Sequence, residues 1–317
     1  MNRKEVRIVF MGSPKFAVYI LRGLVENGFN IVKVVTAPDR PAGRGQKIQK
    51  SAVKKYALTQ NLELLQPLNL KSEDFTSKLK ALKVDLQIVV AFRILPKIVW
   101  DMPKLGTFNL HASLLPQYRG AAPINWALIN GETETGVTSF FIDDKIDTGA
   151  VILQSKVSIS KNETAGSLHN KLMVEGQKLV LKTTKVIIQG NVTTSFQSNE
   201  ENLKKAPKLD RKNCKIDWTK NGKQIQNLVR GLNPYPCAWT SLQNGDNQTN
   251  IKIYEVAFEK SPNSGLIGNI LADKKTLKIA VKKGYIHLIR FKLSGKKEMD
   301  VKSFLNGFIF KDKAKMI

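Results

Sequence analysis

The first half of the chain alternates between strand-like and helix-like segments, and no other feature constrains the fold as strongly. An apolar run over Val6–Met11 is followed by Pro14, and this order predicts a helix that begins there with Ser13 as its cap. Further strand-like runs follow at Ile31–Thr36 and Leu86–Val90. Strands that alternate with helices are typical of an α/β fold. We therefore expect a doubly wound, mostly parallel sheet in the N-terminal part of the chain.

The pattern changes after about residue 206, where short strand-like runs are separated by turn-forming residues. One helix is predicted over 221–231, and the runs that follow it are Trp239–Leu242, Ile251–Phe258, Gly265–Leu271, Leu277–Val281 and Ile286–Phe291. Short strands joined in this way predict a small antiparallel β-barrel. Residues 190–205 are polar and aperiodic. The sequence thus predicts an N-terminal domain over 1–189, a linker over 190–205 and a barrel domain over 206–317.

Composition bears on the compartment in which the protein works. The chain has no apolar run long enough to span a bilayer, and its first five residues lead into the first predicted strand without the apolar core of a signal peptide. Its two cysteines, Cys214 and Cys237, are too few for a disulfide framework or a metal site. We therefore expect a cytoplasmic protein without a membrane partner.

The positive charge of the chain is unevenly distributed. The formal net charge is +25, and residues 204–317 hold 24 lysines and arginines against 9 acidic residues. The 203 residues before them hold 27 against 17. A dense positive field attracts polyanions, but a general excess of surface lysine explains the charge equally well. Charge alone indicates a polyanionic partner without identifying it.

Three polar side chains follow strand-like segments near the middle of the chain. Asn109 and His111 are two residues apart at the end of one run, so on a strand both point to the same face. Asp147 follows a second run, Val137–Ile142. An amide, an imidazole and a carboxylate suit acyl transfer, which needs an oxyanion donor, a proton carrier and a base that orients the carrier. The sequence therefore predicts a catalytic set of Asn109, His111 and Asp147.

Recognisable motifs extend along almost the whole chain. They are Phe10-Met11-Gly12-Ser13-Pro14, Pro38–Gly45, Asn109–Pro116, Arg119–Ile124, Glu134–Thr138, Leu232–Pro236 and Gly295–Met299. Together they resemble the motifs of the methionyl-tRNA formyltransferases. The Asn/His/Asp set and the turn Ser113–Pro116 are common to formyltransferases that use formyltetrahydrofolate. The segment Asp39–Gly45 and the C-terminal motifs narrow the resemblance to the enzymes that act on tRNA.

The resemblance implies a Rossmann-like catalytic domain followed by an OB-like barrel. It implies transfer of the formyl group of 10-formyltetrahydrofolate, the donor co-substrate, to the amino group of methionyl initiator tRNA, with no metal. In that reaction Asn109 donates to the oxyanion, and His111 stabilises the same charge or shuttles a proton. Asp147 holds His111 and takes the amine proton, directly or through water. We expect the enzyme to be a monomer.

The resemblance also implies a pocket for the folate donor. Its expected lining is Phe92, Arg93, Ile94, Ser113, Leu114, Leu115, Pro116 and Asp143. The segment Ala91–Pro96 departs from the family, whose members usually read Ala-Tyr-Gly-x-Ile-Leu-Pro, because this chain lacks the glycine and has Arg93 there. We expect this departure to alter donor binding.

The long polar segment Thr36–Ser51 interrupts the alternation of strands and helices, and loops of this length are more often functional than not. The resemblance implies that this loop enters the acceptor stem of the tRNA, with Arg44 at the family's key basic position. The predicted tRNA contacts are Arg40, Arg44, Lys47 and Lys50 in this segment, and Lys204, Lys205 and Lys208 where the barrel domain begins.

Three other functions stay open at this point. A formyltransferase that acts on a nucleotide sugar or on glycinamide ribonucleotide would share the N-terminal half, although a small acceptor needs neither a basic loop nor a basic barrel. A hydrolase that releases formate would use the same three residues. A catalytically silent RNA-binding protein is supported only by the missing glycine near Arg93. Formyl-transfer activity separates that protein from the enzymes.

Overall fold

The structure is a computed structural model, and it describes residues 2–42, 45–198, 202–262 and 265–317. The helices are α1 (Lys15–Glu26), α2 (Ala52–Thr59), α3 (Glu73–Ala81), α4 (Lys97–Trp100), α5 (Pro123–Ile129), α6 (Ala165–Gln189), α7 (Gly222–Leu232) and α8 (Val301–Leu305). None of these helices, in the ranges described, is long and apolar enough to span a bilayer.

The strands are β1 (Ile8–Gly12), β2 (Ile31–Val35), β3 (Arg40–Ala42), β4 (Lys47–Gln49), β5 (Leu64–Leu65), β6 (Leu86–Val90), β7 (Thr107–His111), β8 (Arg119–Gly120), β9 (Glu134–Phe141), β10 (Val151–Ser158), β11 (Lys205–Ala206), β12 (Ala238–Asn244), β13 (Asn247–Lys260), β14 (Ile270–Ala272), β15 (Leu277–Val281), β16 (Gly284–Leu293), β17 (Met299–Asp300) and β18 (Lys315–Met316). The chain forms two compact units. The first consists of Met1–Gly120, Thr135–Val157 and Asn170–Lys204, and the second of Ala121–Glu134, Ser158–His169 and Lys205–Ile317.

Seven strands form the sheet of the first unit, in the order β10-β9-β7-β6-β1-β2-β5. Neighbours from β7 to β5 are parallel, and β9 runs antiparallel to β7. The central strands β1 and β6 bury every residue, as strands do when helices cover both faces of a sheet. The predicted doubly wound, mostly parallel sheet is confirmed.

Helices pack against both faces of this sheet. On one face α1 buries an apolar stripe formed by Phe16, Ala17, Ile20, Leu21 and Leu24. Helix α6 approaches so closely that a Cβ atom on Gly176 would lie 2.8 Å from Leu110 Cδ2 of β7. On the other face β1 packs with α3 and α4 through Val9, Met11, Phe75, Leu79 and Val99. Polar residues at the end of β7 are therefore held on a well-packed strand.

The first strand and helix lie where the sequence predicts them, but Ser13 is not the helix cap. The N-cap of α1 is Pro14, and no side chain caps the helix there. The Ser13 hydroxyl instead accepts a hydrogen bond of 3.2 Å from the Ala37 N–H, just after β2. Since β1 and β2 are parallel neighbours, this hydroxyl links the ends of two strands.

The segment predicted as a long polar loop contains a short hairpin. Strands β3 and β4 pair antiparallel, with Arg40 opposite Gln49 and Ala42 opposite Lys47. Gly45 and Gln46 have φ values of 92° and 51°, in the left-handed region that tight turns use. Arg40 and Lys47 thus lie on a paired ribbon.

The second unit contains an antiparallel sheet that closes on itself. The strand order is β14-β15-β16-β13-β12-β18, and β17 also pairs with β16. A bridge between Asn269 and Lys315, and a 2.8 Å hydrogen bond from the Met316 N–H to the Gly268 carbonyl, join the two ends of the sheet. Closure pairs edge groups that an open sheet would leave free. The predicted barrel is confirmed, whereas β17, β18 and α8 are elements that the sequence did not predict.

Helix α7 contributes one apolar face to the barrel core. The Asn221 side chain accepts a hydrogen bond from the Gln224 N–H, and the Gln224 side chain accepts one from the Asn221 N–H. This capping box satisfies two backbone donors and fixes the start of the helix. Ile225, Val229 and Leu232 recur at helical spacing and belong to the core cluster of the barrel.

Two segments from the middle of the chain also belong to the second unit. Asn125 Nδ2 of α5 donates to the Gly231 carbonyl of α7 at 2.7 Å. A Cβ atom on Gly231 would lie 2.7 Å from Ile129 Cγ1, so α5 and α7 pack at close range. At the start of α6, the Gly166 N–H donates to the Asn233 carbonyl at 3.0 Å. These residues therefore belong to the unit of the C-terminal barrel, although in the sequence they lie between segments of the first unit.

Candidate active site

Asn109 and His111 lie at the carboxyl end of β7. Asn109 is opposite Val89 of β6 and Phe140 of β9, and His111 is opposite Thr138. Ligands of open α/β sheets bind at the carboxyl ends of the strands. Among the residues that the structure describes, none makes a hydrogen bond with the half-buried Asn109 side chain. Its amide is therefore available as a donor to a substrate.

A backbone carbonyl fixes the tautomer of His111. Its Nε2 lies 2.8 Å from the carbonyl oxygen of Tyr118. A carbonyl can only accept, so Nε2 carries a proton and donates it. The other ring nitrogen, Nδ1, faces Asp147 Oδ2 at 3.8 Å. In the neutral ring, Nδ1 therefore holds the lone pair and lies beside a carboxylate.

Asp147 is held in a backbone conformation that favours glycine. Its φ is +56°, in the left-handed region that glycine favours and that aspartate adopts more readily than most other residues. The Gly120 N–H donates to Asp147 Oδ2 at 3.0 Å. The side chains of His111 and Asp147 are only 7% and 13% exposed. The structure thus brings two of the three predicted catalytic residues together in a water-poor setting, and Asn109 lies on the same strand as His111.

Asp143, in the same loop as Asp147, makes its hydrogen bonds to other residues of the loop. The two carboxylate oxygens of Asp143 accept hydrogen bonds from Thr148 Oγ1 at 2.7 and 2.9 Å, and Oδ1 accepts another from the Lys145 N–H at 3.0 Å. A Cβ atom on Gly149 would lie 1.7 Å from the Phe141 carbonyl oxygen, so only glycine fits there. Asp143 therefore shapes the loop that carries Asp147, and its contact with the donor stays a prediction.

The predicted donor-pocket turn Ser113–Pro116 packs on β9. Thr138 Oγ1 donates to the Ser113 carbonyl at 2.7 Å and accepts from the Leu115 N–H at 3.1 Å. Ser113 and Leu115 are buried, whereas Leu114 and Pro116 are partly exposed. The turn therefore presents Leu114 and Pro116 as surface that a ligand can contact, and it uses Ser113 and Leu115 for its own packing.

Arg93, which lies where the sequence departs from the family pattern, joins two loops through hydrogen bonds. Its Nη1 donates to the Leu68 carbonyl at 3.0 Å and its Nη2 to the Pro67 carbonyl at 2.8 Å. Phe92 packs against the sheet core with the guanidinium carbon 5.2 Å from its ring centroid. Ile94 is 75% exposed. Of the three predicted wall residues, Ile94 thus offers the most free surface, and Arg93 is engaged by the protein itself.

Replacing Arg93 by methionine removes both hydrogen bonds and keeps much of the side-chain length. We expect the free energy of unfolding to fall by about 1 to 2 kcal/mol, because two partly exposed carbonyls lose a charged donor. We also expect KM for the folate donor to rise more than KM for tRNA. Inserting a glycine between Phe92 and Arg93 should also change KM for the folate donor more than KM for tRNA. Thermal denaturation and steady-state kinetics measure these effects, with the exposed barrel residue Arg290→Met as control. Equal changes in both Michaelis constants would contradict a donor-specific wall.

The predicted tRNA contacts on the hairpin are exposed. Arg40 and Lys47 lie in β3 and β4, and Lys50 follows β4. Arg44 lies outside the described residues. Burial lowers the pKa of Arg93, and the charge of Arg40 adds to this effect. The hairpin therefore places positive charge close to Arg93.

The second unit carries a basic cleft that the sequence did not predict. The cleft has a volume of about 450 Å³ and is lined by Thr219, Lys220, Asn221, Gln224, Phe258, Lys260, Lys282 and Lys283. Its four lysines come from three separate stretches of the chain, so no local pattern groups them. The predicted contacts Lys205 and Lys208 are also exposed on this unit, and Lys204 is exposed at the end of the first.

The segment predicted as a linker also contacts the loop of Asp147. Gln197 Nε2 donates to the Asp147 carbonyl at 3.0 Å. Nothing in the polar, aperiodic sequence around Gln197 indicates this role, because the two residues are 50 positions apart.

The arrangement at the end of β7 provides the groups that acyl transfer uses. The Asn109 amide can donate to a developing oxyanion, and His111 Nδ1 can accept a proton next to a carboxylate. Within the described ranges, no group of three or more His, Cys, Asp and Glu side chains is placed to hold a metal ion. That the reaction needs no metal stays a prediction.

Two family models match the chain. One, described as formyl transferase, matches residues 6–184, and the other, described as formyl transferase C-terminal domain, matches residues 208–309. The chain is 58% identical to the methionyl-tRNA formyltransferase of Flavobacterium johnsoniae over 313 residues, which are 99% of each protein. It is 49% identical to the methionyl-tRNA formyltransferase of Bacteroides thetaiotaomicron over 321 residues, 100% of each.

A solved N-formyltransferase has a similar fold. The protein, from Helicobacter canadensis in complex with folinic acid and dTDP-3-aminofucose, superposes with a TM-score of 0.65 at 23% identity, over 89% of this chain and 98% of that one. At this identity the likeness concerns the fold alone. The full-length relatives and both family models confirm the resemblance drawn from the motifs. The chain belongs to the methionyl-tRNA formyltransferase family.

Proposed function

We propose that the protein transfers the formyl group of 10-formyltetrahydrofolate to the amino group of methionyl initiator tRNA, as a cytoplasmic monomer. Relatives named methionyl-tRNA formyltransferase, 49% and 58% identical over their full length, support the acceptor. A similarly folded protein holds folinic acid, which supports a folate-derived donor. The observation that carries the proposal is the pairing of His111 Nδ1 with Asp147 beside the available amide of Asn109.

In the proposed reaction, the neutral amino group of the acceptor attacks the formyl carbon. A new C–N bond forms, and the formyl oxygen becomes an oxyanion that Asn109 Nδ2–H stabilises. The amine proton passes to His111 Nδ1 or to Asp147. When the bond from the formyl carbon to the donor nitrogen breaks, this proton is delivered to the departing nitrogen. The reaction therefore takes up no net proton.

The Tyr118 carbonyl supports a proton-carrying role for His111. Because Nε2 already donates to that carbonyl, Nδ1 is the nitrogen that can receive a proton. The resulting imidazolium would lie 3.8 Å from Asp147 Oδ2. Opposite unit charges at this separation attract by roughly 4 kcal/mol at the effective dielectric near a protein surface. This attraction favours forming a charge on a ring that is nearly enclosed.

Positive surfaces on each unit support a polyanionic acceptor. Arg40, Lys47 and Lys50 extend from or beside the hairpin of the first unit, and the cleft of the second unit has four lysines. No acidic residue of the described chain lines that cleft. Lysine and arginine contacts to phosphates position a nucleic acid and supply most of the sequence-independent affinity. A nucleotide-sugar acceptor would need neither surface.

A formylation assay tests the proposal with charged initiator tRNA, charged elongator tRNA, free methionine and an amino-sugar nucleotide side by side. We expect formyl-methionine on the initiator tRNA with the highest kcat/KM. Comparable formylation of free methionine or of the amino sugar would instead assign a small acceptor. Release of formate without an acceptor would indicate a hydrolase. Binding of tRNA without either reaction would indicate a silent RNA-binding protein.

A further inference from the structure

A short strap, residues 195–198, follows α6 and contacts the loop that carries Asp147. Ser195 forms a pair of backbone hydrogen bonds with Val151, at 2.8 and 2.9 Å. This bridge fixes the strap beside the first residue of β10. Two residues later, Gln197 is positioned to reach the loop between β9 and β10.

Both N–H groups of the Gln197 amide are directed at this loop. Its Nε2 donates to the Asp147 carbonyl at 3.0 Å and to the Gly149 carbonyl at 2.8 Å. A primary amide nitrogen has two donors, so both are used. One of these carbonyls belongs to the residue whose φ of +56° is unfavourable for a side chain with a Cβ. The amide therefore stabilises a conformation that the loop would not favour by itself.

Arg119 fixes the other end of the same amide. Gln197 Oε1 accepts hydrogen bonds from Arg119 Nε at 3.1 Å and from Nη2 at 2.7 Å. The next residue, Gly120, donates its N–H to Asp147 Oδ2. Gln197 and Arg119 are thus linked to each other and, through Gly120, to Asp147. These contacts hold Asp147 by its backbone carbonyl and by its carboxylate.

We propose that Gln197 is a positioning residue for formyl transfer, setting the distance at which the Asp147 carboxylate faces His111 Nδ1. The inference rests on the proposed function, because it requires Asp147 to act in the reaction. The 3.8 Å between these two atoms is longer than a direct hydrogen bond. A small shift of the loop therefore decides whether the two groups meet directly or are separated further. For this reason Gln197 affects the chemical step more than substrate binding.

The chemistry of the glutamine side chain separates this role from simple packing. Gln197→Met keeps the length and removes all four hydrogen bonds. Gln197→Glu keeps an acceptor for Arg119, but it has no amide donors and places a negative oxygen against the carbonyls of Asp147 and Gly149. If the loop contacts matter, glutamate must be as harmful as methionine. If the Arg119 contact alone mattered, glutamate would behave like the wild type.

Both variants should lower kcat about tenfold to a hundredfold, the cost of misplacing a reacting group by a fraction of an ångström to 1 Å. KM for donor and for tRNA should change by less than about threefold, since only transition-state interactions are weakened. In an Asp147→Ala background, Gln197→Met should lower kcat no further, because the group that it positions is gone. This double-mutant cycle is the decisive measurement, and it uses the full-length protein.

Gln177→Met is a matched control. Gln177 Nε2 of α6 donates to the Tyr19 carbonyl of α1 at 2.7 Å, so the variant also removes a glutamine–backbone bond within the first unit. It should lower the thermal midpoint and leave kcat unchanged. If Gln197→Met does not fold, Gln197→Glu in the same cycle decides the question.

Additive losses of activity for Gln197→Met and Asp147→Ala would overturn the inference, as would a wild-type kcat for Gln197→Glu. The wild-type protein is measured in the same assay. Absence of formyl transfer by the wild type contradicts the proposed function and the inference with it. Transfer by the wild type together with an additive cycle contradicts only the role of Gln197.

Discussion

His111→Ala is expected to lower the kcat of formyl transfer by about two to four orders of magnitude, because it removes the group proposed to carry the proton. Asn109→Ala removes the proposed oxyanion donor and should cost about two to three orders of magnitude. Asp147→Ala should cost about two orders or more. Single-turnover formylation with saturating tRNA measures these effects. Binding of tRNA should change little, since none of the three side chains belongs to the basic hairpin or the basic cleft.

Another histidine provides the control for this prediction. His287 lies on the barrel with its Nε2 2.5 Å from Glu259 Oε2, and its side chain is 26% exposed. His287→Ala removes an imidazole from a solvent-exposed pair, and such pairs contribute little to stability. We expect a wild-type kcat for this variant. An Asp147→Ala enzyme with near-normal turnover would contradict the catalytic set.

The affinity for tRNA is expected to fall steeply as the salt concentration rises. A protein that binds six to ten phosphates of a nucleic acid loses about 10³- to 10⁵-fold in affinity between roughly 50 and 200 mM salt, because binding releases condensed counterions. Replacing Arg40, Lys47 and Lys50 by serine should flatten the slope of log affinity against log salt by roughly one for each phosphate that the variant no longer binds. Fluorescence anisotropy with labelled initiator tRNA over a series of salt concentrations measures this slope.

The basic cleft on the second unit provides a second test, which asks whether these particular lysines bind tRNA or whether any positive charge on the surface has the same effect. One variant changes the four lining lysines to serine, and its charge-matched control changes the exposed lysines Lys274, Lys275, Lys302 and Lys313 to serine. We expect the lining variant to bind tRNA more weakly, and with less salt dependence, than the control. Equal effects would indicate a diffuse influence of charge. If binding is insensitive to salt and to every one of these changes, a small acceptor becomes the better explanation.

Local patterns predicted those parts of the protein whose determinants are contiguous. The apolar runs of β1 and β6 and the turn-separated strands of the barrel each indicate one element. The spacing of Asn109 and His111 placed both at the end of one strand, which is β7. The lysines of the cleft contribute to the charge excess that the sequence shows, but the sequence does not show that they lie together.

Contacts between distant residues could not be predicted in this way. Ser13 has the sequence context of a helix cap, yet its hydroxyl bonds to Ala37 because a parallel strand ends beside it. In the sequence, Arg93 only marks the place where the family usually has a glycine. The fold alone shows that it binds the Pro67 and Leu68 carbonyls. The polar residues around Gln197 carry no periodicity. Tertiary contacts override local propensity at such positions, and these are the positions that shape the candidate site.

The interleaving of the two units along the chain has a consequence for how such a protein can be divided or recombined. Because Ala121–Glu134 and Ser158–His169 pack with Lys205–Ile317, no single cut separates the units. A truncation after residue 189 would leave α5 without α7 and uncover Ile129, which lies against Gly231. A barrel exchanged between relatives at one crossover would meet an α5 from a different parent at this tightly packed contact. Variation of the barrel surface by point substitution avoids that mismatch and is therefore the easier route to a new acceptor.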